Sequence, residues 1–507
     1  MPNPSVAERA PLPRWARFPL AIGAGVLMGL GLAPYDLWYL AFTGYVVAIW
    51  LFQAAPRGVF AVGTGWAVGL GYFGFSLGWI IEPFFVDPST IWMAPFALVG
   101  MAGGLALFWA LAFWIAAHAP RRPLLALVLA WTGAELARAY VFTGFPWGMV
   151  SYMWSSVAPI QLASLLGPHG LNLATLATAA MFAAAIPRGG LRLLPAVLGV
   201  TSLLVLFGVG LILTPPYQDL SGRPVVRLIQ PNAPQHEKWD PLKIPMFFDR
   251  QLRLTAGPPK DDFTEPQLVV WPETSVPHLL HRAGDALGLI THAAGSAQVV
   301  VGIQRAQDGN YYNSLALMDG TGALRQVYDK HHLVPFGEYM PAEAVFRRWN
   351  ILGLASRAEG GYSAGPGPEL LDLGPLGKAL PLICYEAVFP QDVYRTPERP
   401  DFLLQITNDA WFGEWSGPYQ HLEQARVRAI EQGLPMLRAA NTGVSAVIDG
   451  AGRVLTELPL GRAGYVDAYL PPPLRLTLYS QFGDFPVLLL MFLSVLGFIR
   501  AVRVNSD

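Results

Sequence analysis

The chain has 507 residues, enough for two or three domains. Hydrophobic residues make up 53% and charged residues 14%, whereas soluble domains carry about 25% charged residues. This composition predicts a chain largely embedded in a membrane, and the net charge of -1 gives no reason to propose nucleic-acid binding.

Eight apolar runs are long enough to cross about 30 Å of hydrocarbon. They lie near residues 18–34, 37–53, 57–81, 91–118, 123–141, 163–187, 192–213 and 485–503. The basic residues beside these runs all fall on one side: Arg9, Arg14, Arg17, Arg57, Arg121, Arg122, Arg188, Arg192, Arg500 and Arg503. The positive-inside rule therefore predicts a multi-pass protein with both termini in the cytoplasm. The segment between runs seven and eight is then outside, which in a bacterium is the periplasmic face of the inner membrane.

Two features of the apolar part have a structural and a functional interpretation. Gly23, Gly25 and Gly29 follow no strand, so they indicate close helix packing and not a dinucleotide loop. Glu135 and Arg138 lie near the outer end of the fifth run. They are expected either to form an ion pair facing the bundle or to bind a lipid headgroup.

The composition divides the chain into three parts and a linker. Residues 1–213 are predicted to form a membrane bundle, residues 214–222 a linker, residues 223–472 a globular domain, and residues 473–507 an eighth membrane helix with a tail. In the globular part, short β-rich runs alternate with helical patterns at 243–255, 281–294 and 419–432. This alternation predicts a layered domain of strands and helices.

The single cysteine, Cys384, closes an apolar strand-like run. A lone thiol cannot form an internal disulfide, so it is either an inert core residue or a nucleophile. Glu273 and Lys330 also follow β-rich runs, and strand ends are where layered α/β folds display reactive groups. A cation beside a thiol lowers its pKa, and a carboxylate accepts its proton. The spacing alone does not show that the three residues meet.

Other chemistries receive little support. The sequence has no Walker A motif, and its histidines show no metal-ligand spacing. His331 and His332 are adjacent, and adjacent side chains do not share a face of a helix or strand. We therefore expect neither a metal nor a cofactor.

The globular part resembles the nitrilase, or carbon–nitrogen hydrolase, superfamily, whose catalytic set is Glu, Lys and Cys on an αββα sandwich. The matching segments are Trp271-Pro272-Glu273, residues 329–338, Ile383-Cys384-Tyr385-Glu386, residues 407–413 and residues 438–443.

Over residues 15–505 the chain is similar to the apolipoprotein N-acyltransferase family, which joins eight membrane helices to a periplasmic nitrilase-like domain. The resemblance implies transfer of a fatty acyl group from a membrane phospholipid, by family likeness the sn-1 ester of phosphatidylethanolamine. The acceptor would be the N-terminal amine of a diacylglyceryl-cysteine apolipoprotein. The reaction would pass through a Cys thioester in a ping-pong cycle, as the last step of bacterial lipoprotein maturation.

Residue roles carry over at the matching positions. Glu273 would be the general base, Lys330 the oxyanion stabiliser and Cys384 the nucleophile. The expected supporting residues are Glu338, Tyr385, Glu386, Trp239 and Asn408. Alternatively, the two supporting glutamates form ion pairs that hold the site together, and Trp239 is an aromatic plug over the core.

The acyl group needs an apolar, water-excluding surround. We expect Phe336, Tyr339 and Trp349 to contribute walls or a lid, with Trp349 in an apolar stretch over 346–354 that carries two arginines. Trp147 is expected at the membrane interface.

Two other functions fit less well. One is a membrane-anchored amidase or nitrile hydrolase with the same catalytic set, although eight spans are excessive for an anchor. The other is a transporter or scaffold with an inert outer domain, although the membrane part has few charges and no obvious repeated halves.

Overall fold

The computed structural model describes residues 14–54, 58–186, 191–260, 262–341, 361–396 and 398–503. The chain divides into two compact units. The helical unit comprises Met1–Pro215 and Thr477–Asp507, and the second unit comprises Pro216–Leu476.

Nine α-helices are described in the helical unit. They are α1 (Arg14–Gly29), α2 (Trp38–Ala54), α3 (Val59–Ser76), α4 (Ala94–Ala117), α5 (Pro123–Tyr140), α6 (Ala163–Ala185), α7 (Leu193–Leu213), α12 (Leu478–Phe482) and α13 (Phe485–Arg503). Each of the eight predicted spans coincides with one of these helices, and α12 is too short to be one.

Within the described residues, three helices are long and apolar enough to cross a membrane: Val59–Ser76, Pro88–Ala117 and Leu193–Leu213. Shorter apolar helices cover Ala16–Gly29, Trp38–Ala54 and Phe485–Gly497. The helical character of this part is thus observed, and the count of eight spans stays a prediction.

The glycines of the first apolar run allow close packing of α1 on α3. A Cβ on Gly25 would lie 2.1 Å from the Val68 carbonyl oxygen, and one on Gly71 would lie 2.1 Å from the Ile22 carbonyl oxygen. Small residues at such crossings let helix backbones approach. The packing interpretation is confirmed for Gly25, whereas a Cβ on Gly23 would meet nothing within 4 Å.

Glu135 and Arg138 form a buried ion pair on α5. Arg138 Nη2 lies 2.6 Å from Glu135 Oε2, and Arg138 is 2% exposed. The same guanidinium donates to the carbonyl oxygens of Trp147 at 2.7 Å and Gly148 at 3.3 Å. The ion-pair interpretation is confirmed, and a guanidinium used in this way offers no exposed donor to a lipid headgroup.

The second unit contains two six-stranded sheets. The first has the order β12-β1-β2-β3-β4-β5 and the second β11-β10-β9-β8-β7-β6. The strands are β1 (Val225–Gln230), β2 (Leu268–Val270), β3 (Gln298–Gln307), β4 (Asn310–Met318), β5 (Leu324–Asp329), β6 (Leu371–Asp372), β7 (Lys378–Ile383), β8 (Phe402–Thr407), β9 (Met436–Ala440), β10 (Ser445–Ile448), β11 (Val454–Leu458) and β12 (Gly464–Tyr469).

The two sheets share one pairing pattern. Each has three parallel strands, β1–β3 or β7–β9, followed by two antiparallel strands and flanked by one more antiparallel strand. Helices connect the parallel strands: α8 (Ile244–Thr255) and α9 (Gly284–Ala294) in the first half, and α10 (Pro390–Val393) and α11 (Gly417–Gln432) in the second. The domain is therefore built from two similar halves, a repeat that the sequence does not reveal.

Each sheet packs its helices on one face and the other sheet on the other. One apolar cluster joins β1–β4 to α8 and α9, and another joins β7–β10 to α11. Strand β1 contacts β9 and β10 of the other sheet. Buried on both faces, the central strands read as continuous apolar runs. The predicted αββα sandwich is confirmed.

Strand direction determines where the reactive residues emerge. β5 is two antiparallel steps from β3, so it runs in the same direction as β2. The carboxyl ends of β2 and β5 therefore lie at the same edge of the first sheet, and Glu273 and Lys330 follow them.

Candidate active site

The carboxylate of Glu273 is held by three partners. Its Oε1 accepts a 2.7 Å hydrogen bond from Asn313 Nδ2, and its Oε2 accepts a 2.9 Å bond from the main-chain N–H of Asn408. Lys330 Nζ lies 3.7 Å from Oε1. Glu273 is 6% exposed, so these contacts fix the orientation of a buried carboxylate, as a general base requires.

The turn that carries Glu273 is tight. Thr274 has a φ of +45°, a region that β-branched residues rarely occupy. On the neighbouring strand, a Cβ at Gly302 would lie 2.4 Å from the Pro272 carbonyl oxygen and 2.6 Å from the Glu273 Cα. Glycine at 302 is thus required for the turn to approach β3.

Lys330 follows β5 directly and is 1% exposed. Its Nζ donates a 2.9 Å hydrogen bond to Glu338 Oε1. Burial acts to lower the pKa of Lys330, but the charges of Glu338, Glu273 and Cys384 act in the opposite direction and raise this pKa well above its ordinary value. Its carboxylate neighbours therefore favour the charged form of the side chain.

Cys384 lies at the turn from β7 into a short 3-10 helix, Cys384–Val388. Its φ is +52°, a conformation that non-glycine residues adopt rarely and often at functional sites. The Cys384 carbonyl oxygen accepts a 3.2 Å hydrogen bond from Gln405 Nε2. The residue is 4% exposed.

The thiol is electrostatically coupled to both predicted partners. Burial and the Glu273 carboxylate raise the pKa of Cys384 well above its ordinary value, and Lys330 opposes this rise without cancelling it. The predicted lowering of the thiol pKa by a neighbouring cation is present, but burial and the Glu273 carboxylate outweigh it. The thiol keeps its proton until a base removes it, and Glu273 is the carboxylate whose charge acts most strongly on it.

Glu386 joins the segments that carry Cys384 and Lys330. Its Oε1 accepts hydrogen bonds from the Tyr328 hydroxyl and the His331 main-chain N–H, both at 2.8 Å. Its Oε2 accepts a 2.7 Å bond from the main-chain N–H of Ile383. The side chain is fully buried, and its hydrogen bonds connect the end of β5 to the end of β7.

His331 and His332 add further contacts to this connection. His331 Nδ1 lies 2.7 Å from Glu386 Oε1, and His332 Nδ1 lies 2.8 Å from Asp392 Oδ2. Burial acts to lower the pKa of His331, but Asp392 and Glu386 outweigh it and raise that pKa to about 10. Among the described residues, no group of three or more His, Cys, Asp or Glu is arranged to hold a metal ion.

Glu338 is the direct partner of Lys330. Besides the ammonium, its Oε1 accepts a 3.0 Å bond from Asn313 Nδ2, and its Oε2 accepts a 2.8 Å bond from the Val334 main-chain N–H. The carboxylate thereby holds the cation and the Asn313 amide in one network.

Asn408 contributes its main chain to the site. Besides donating to Glu273, it uses its side chain to form hydrogen bonds with Gln235 at 2.7 Å and Asn441 at 2.8 Å. These contacts fix the loop after β8.

Of the two predicted aromatic residues, Tyr385 is the more buried. It is 5% exposed, and its ring packs against Phe389 with centroids 4.9 Å apart. Trp239 is 41% exposed, and the Lys238 ammonium lies 5.5 Å from its ring centroid. An exposed ring does not plug the core, so this alternative for Trp239 is not supported.

The predicted wall residues have different environments. Phe336 is 51% exposed with a φ of +63°, and its main-chain N–H donates to the Tyr339 carbonyl oxygen. Trp349 and the whole stretch 346–354 lie outside the described residues. Trp147 belongs to the helical unit, where it is fully buried with its ring 4.5 Å from that of Trp79.

Two residues of the site were missed at the sequence level. Asn313, in the middle of β4, links Glu273 to Glu338. Lys238 donates hydrogen bonds to the main chain of Glu273 and to Thr274. The signal for Asn313 was an amide at the start of an apolar run. Lys238 begins the segment 238–241, which resembles the family, but its contact with the Glu273 turn was not predicted.

Comparisons with known proteins cover both units. The family model for the apolipoprotein N-acyltransferase N-terminal domain matches residues 24–181, and the carbon-nitrogen hydrolase model matches residues 242–474. An apolipoprotein N-acyltransferase of Rhodopseudomonas palustris is 37% identical over 507 residues, covering 94% of each chain. One from Bradyrhizobium diazoefficiens is 38% identical over 514 residues, covering 96% of this chain and 95% of the relative.

Among solved structures, a CN-hydrolase superfamily protein from Xanthomonas campestris is similar, with 23% identity and a TM-score of 0.36. The match covers 53% of this chain and 96% of that protein.

Proposed function

Because the chain belongs to the apolipoprotein N-acyltransferase family, we propose that it transfers a fatty acyl group from a membrane phospholipid to the N-terminal amine of a diacylglyceryl-cysteine apolipoprotein. The observation that carries the proposal is the coupling of Cys384 to Glu273 and Lys330 in one buried site.

In the first half-reaction, Glu273 accepts the thiol proton as the Cys384 sulfur attacks the carbonyl carbon of the phospholipid ester. The Lys330 ammonium stabilises the resulting oxyanion, an effect worth about 3 kcal/mol per donor in comparable sites. The C–O bond then breaks, and the leaving alkoxide takes the proton from Glu273. The products are a lysophospholipid and a thioester on Cys384.

In the second half-reaction, the neutral α-amine of the acceptor attacks the thioester carbon. Glu273 accepts a proton from the amine nitrogen, the C–S bond breaks, and the thiolate is reprotonated. The thiolate takes its proton from Glu273, so an N-acyl amide is formed and both Cys384 and Glu273 return to their starting states. Since an amide is less reactive than a thioester, the transfer is effectively one-way.

The proposal extends to location and donor. We place the protein in a bacterial inner membrane with eight spans, both termini in the cytoplasm and the domain of residues 223–472 in the periplasm. Support comes from helices at all eight predicted positions and from the arginines on one side of them. Phosphatidylethanolamine is the donor that we propose.

The experiment is intact-mass spectrometry of the full chain in nanodiscs after incubation with phosphatidylethanolamine. We expect a mass gain of one fatty acyl group that hydroxylamine removes and that is absent in Cys384→Ser. Adding a diacylglyceryl-cysteine peptide should discharge the adduct and acylate the peptide.

A lack of adduct, together with acyl transfer retained in Cys384→Ser, would contradict the proposal. Hydrolysis of a small soluble amide without any lipid would instead indicate an amidase.

A further inference from the structure

Lys238 is a second buried lysine beside the proposed general base. It lies between β1 and α8 and is 8% exposed. Its Nζ donates a 3.0 Å hydrogen bond to the Glu273 main-chain oxygen and a 2.8 Å bond to Thr274 Oγ1. Buried lysines are rare unless they are paired, and here the partners are a main-chain oxygen and a hydroxyl.

These two acceptors belong to the strained turn. Thr274 has a φ of +45°, and such conformations persist when the surrounding structure holds them. Gly302 supports the turn from β3, and Lys238 contacts it through both of its bonds. We propose that Lys238 is a positioning residue that holds the Glu273 turn, and with it the general base, relative to Cys384.

Lys238 loses its proton at a lower pH than an ordinary lysine does. Burial lowers the pKa of Lys238 to about 8, against the raising effect of Glu273 and Cys384, the titratable groups that act on it from the ends of β2 and β7. Lys238, Trp239 and Glu273 line a cleft with about 360 Å³ of empty space that is partly open to solvent, so protons can reach the amine. Charge-assisted hydrogen bonds are stronger than neutral ones. The two hydrogen bonds from Lys238 to the Glu273 turn should therefore weaken as the pH rises through about 8 and the amine loses its charge.

The test rests on the proposed function and uses its first half-reaction, formation of the acyl-enzyme without acceptor. This choice removes the acceptor amine, whose pKa is itself near 8. The variants are Lys238→Met, Lys238→Gln and Lys238→Arg, with Lys243→Met as the matched control because Lys243 is a surface lysine of the same segment. Acylation rates are measured from pH 6.5 to 9.5 for the full chain in nanodiscs.

We expect Lys238→Met and Lys238→Gln to acylate roughly 10- to 100-fold more slowly at pH 7, the range for a lost charged hydrogen bond. The ratio of wild-type to Lys238→Gln rates should fall as the pH rises through 8, because only the wild type loses a charge there. Lys238→Arg should keep its rate above pH 8, and Lys243→Met should match the wild type.

A rate ratio that is constant over this pH range would overturn the proposal, whatever the melting temperatures of the variants, because a merely structural loss does not titrate. So would Lys238→Met acylating within twofold of the wild type. If the wild type forms no hydroxylamine-labile adduct, the proposed function itself fails and this inference falls with it.

Discussion

Asn313 provides a sharp test of the site because one amide group serves two carboxylates. Its Nδ2 donates to Glu273 Oε1 at 2.7 Å and to Glu338 Oε1 at 3.0 Å. Asn313→Ala removes both bonds and leaves two buried carboxylates without their shared donor. A hydrogen bond to a charged group is worth about 1.5–3 kcal/mol. If one such bond is lost from the transition state, acylation should slow about 10- to 100-fold. Asn313→Asp should be slower still, because it adds a third negative charge.

The assay is the rate of acyl-enzyme formation on Cys384, followed by intact mass in nanodiscs. Asn310→Ala is the matched control: it makes the same change at the exposed start of the same strand, where the amide oxygen accepts one bond from Ser363. We expect the control to acylate at the wild-type rate. Equal rates for Asn313→Ala and its control, or a faster Asn313→Asp, would refute the argument that the amide organises the two carboxylates.

Three further predictions concern single side chains. Glu273 raises the pKa of the Cys384 thiol and Lys330 lowers it, so at pH 8 iodoacetamide should alkylate Glu273→Gln faster than the wild type and Lys330→Met more slowly. Glu386→Gln places an N–H₂ group among main-chain N–H donors, so it should lower the apparent melting temperature and slow acylation. Arg138→Met removes the cation that pairs with the buried Glu135 carboxylate and the donor to the Trp147 carbonyl oxygen, which should cost about 3–5 kcal/mol and appear as a lower melting temperature in nanodiscs.

Each of these predictions has an outcome that contradicts it. Equal alkylation rates in the two charge variants would mean that the thiol does not sense its neighbours. A fully active Glu386→Gln would show that the link between the ends of β5 and β7 is not needed for chemistry. An Arg138→Met protein as stable as the wild type would mean that the loop from Phe145 to Gly148 does not depend on the guanidinium.

The sequence was a good guide to the strands because most of them are apolar runs bounded by turn residues. The predicted β-rich runs do not include the two-residue strand β6, the half-exposed edge strand β11 or β9, in which Arg438 interrupts the apolar residues. The structure shows how a strand tolerates this residue: its guanidinium donates to Gln405 and Asp409 in the buried interior, both at 2.5 Å. In a sequence, a buried arginine with complete partners cannot be distinguished from a surface arginine, so the pattern did not predict a strand there.

The sequence also placed Glu273, Lys330 and Cys384 directly after apolar strands, and the structure has each of them just past the end of a strand. It could not give the direction of the thiol pKa. The effect of a nearby cation was inferred correctly. The net change in the Cys384 pKa also depends on burial and on the position of Glu273, and the sequence shows neither. The contacts of Asn313 and Lys238 were not predicted for the same reason, because they depend on which atoms come together in the folded chain.

The site is divided between the two sheets. Glu273 and Lys330 emerge from the first sheet, and Cys384 emerges from the second. The proposed base and the proposed nucleophile are therefore aligned by the packing of two similar halves and not by one continuous segment. Two hydrogen bonds cross between the halves: Asn408, which follows β8, donates to Glu273, and Asn441, which follows β9, donates to the Ala233 carbonyl oxygen after β1. Under the proposed function, a polar residue at the inner edge of either sheet should therefore affect acyl transfer without touching the acyl group.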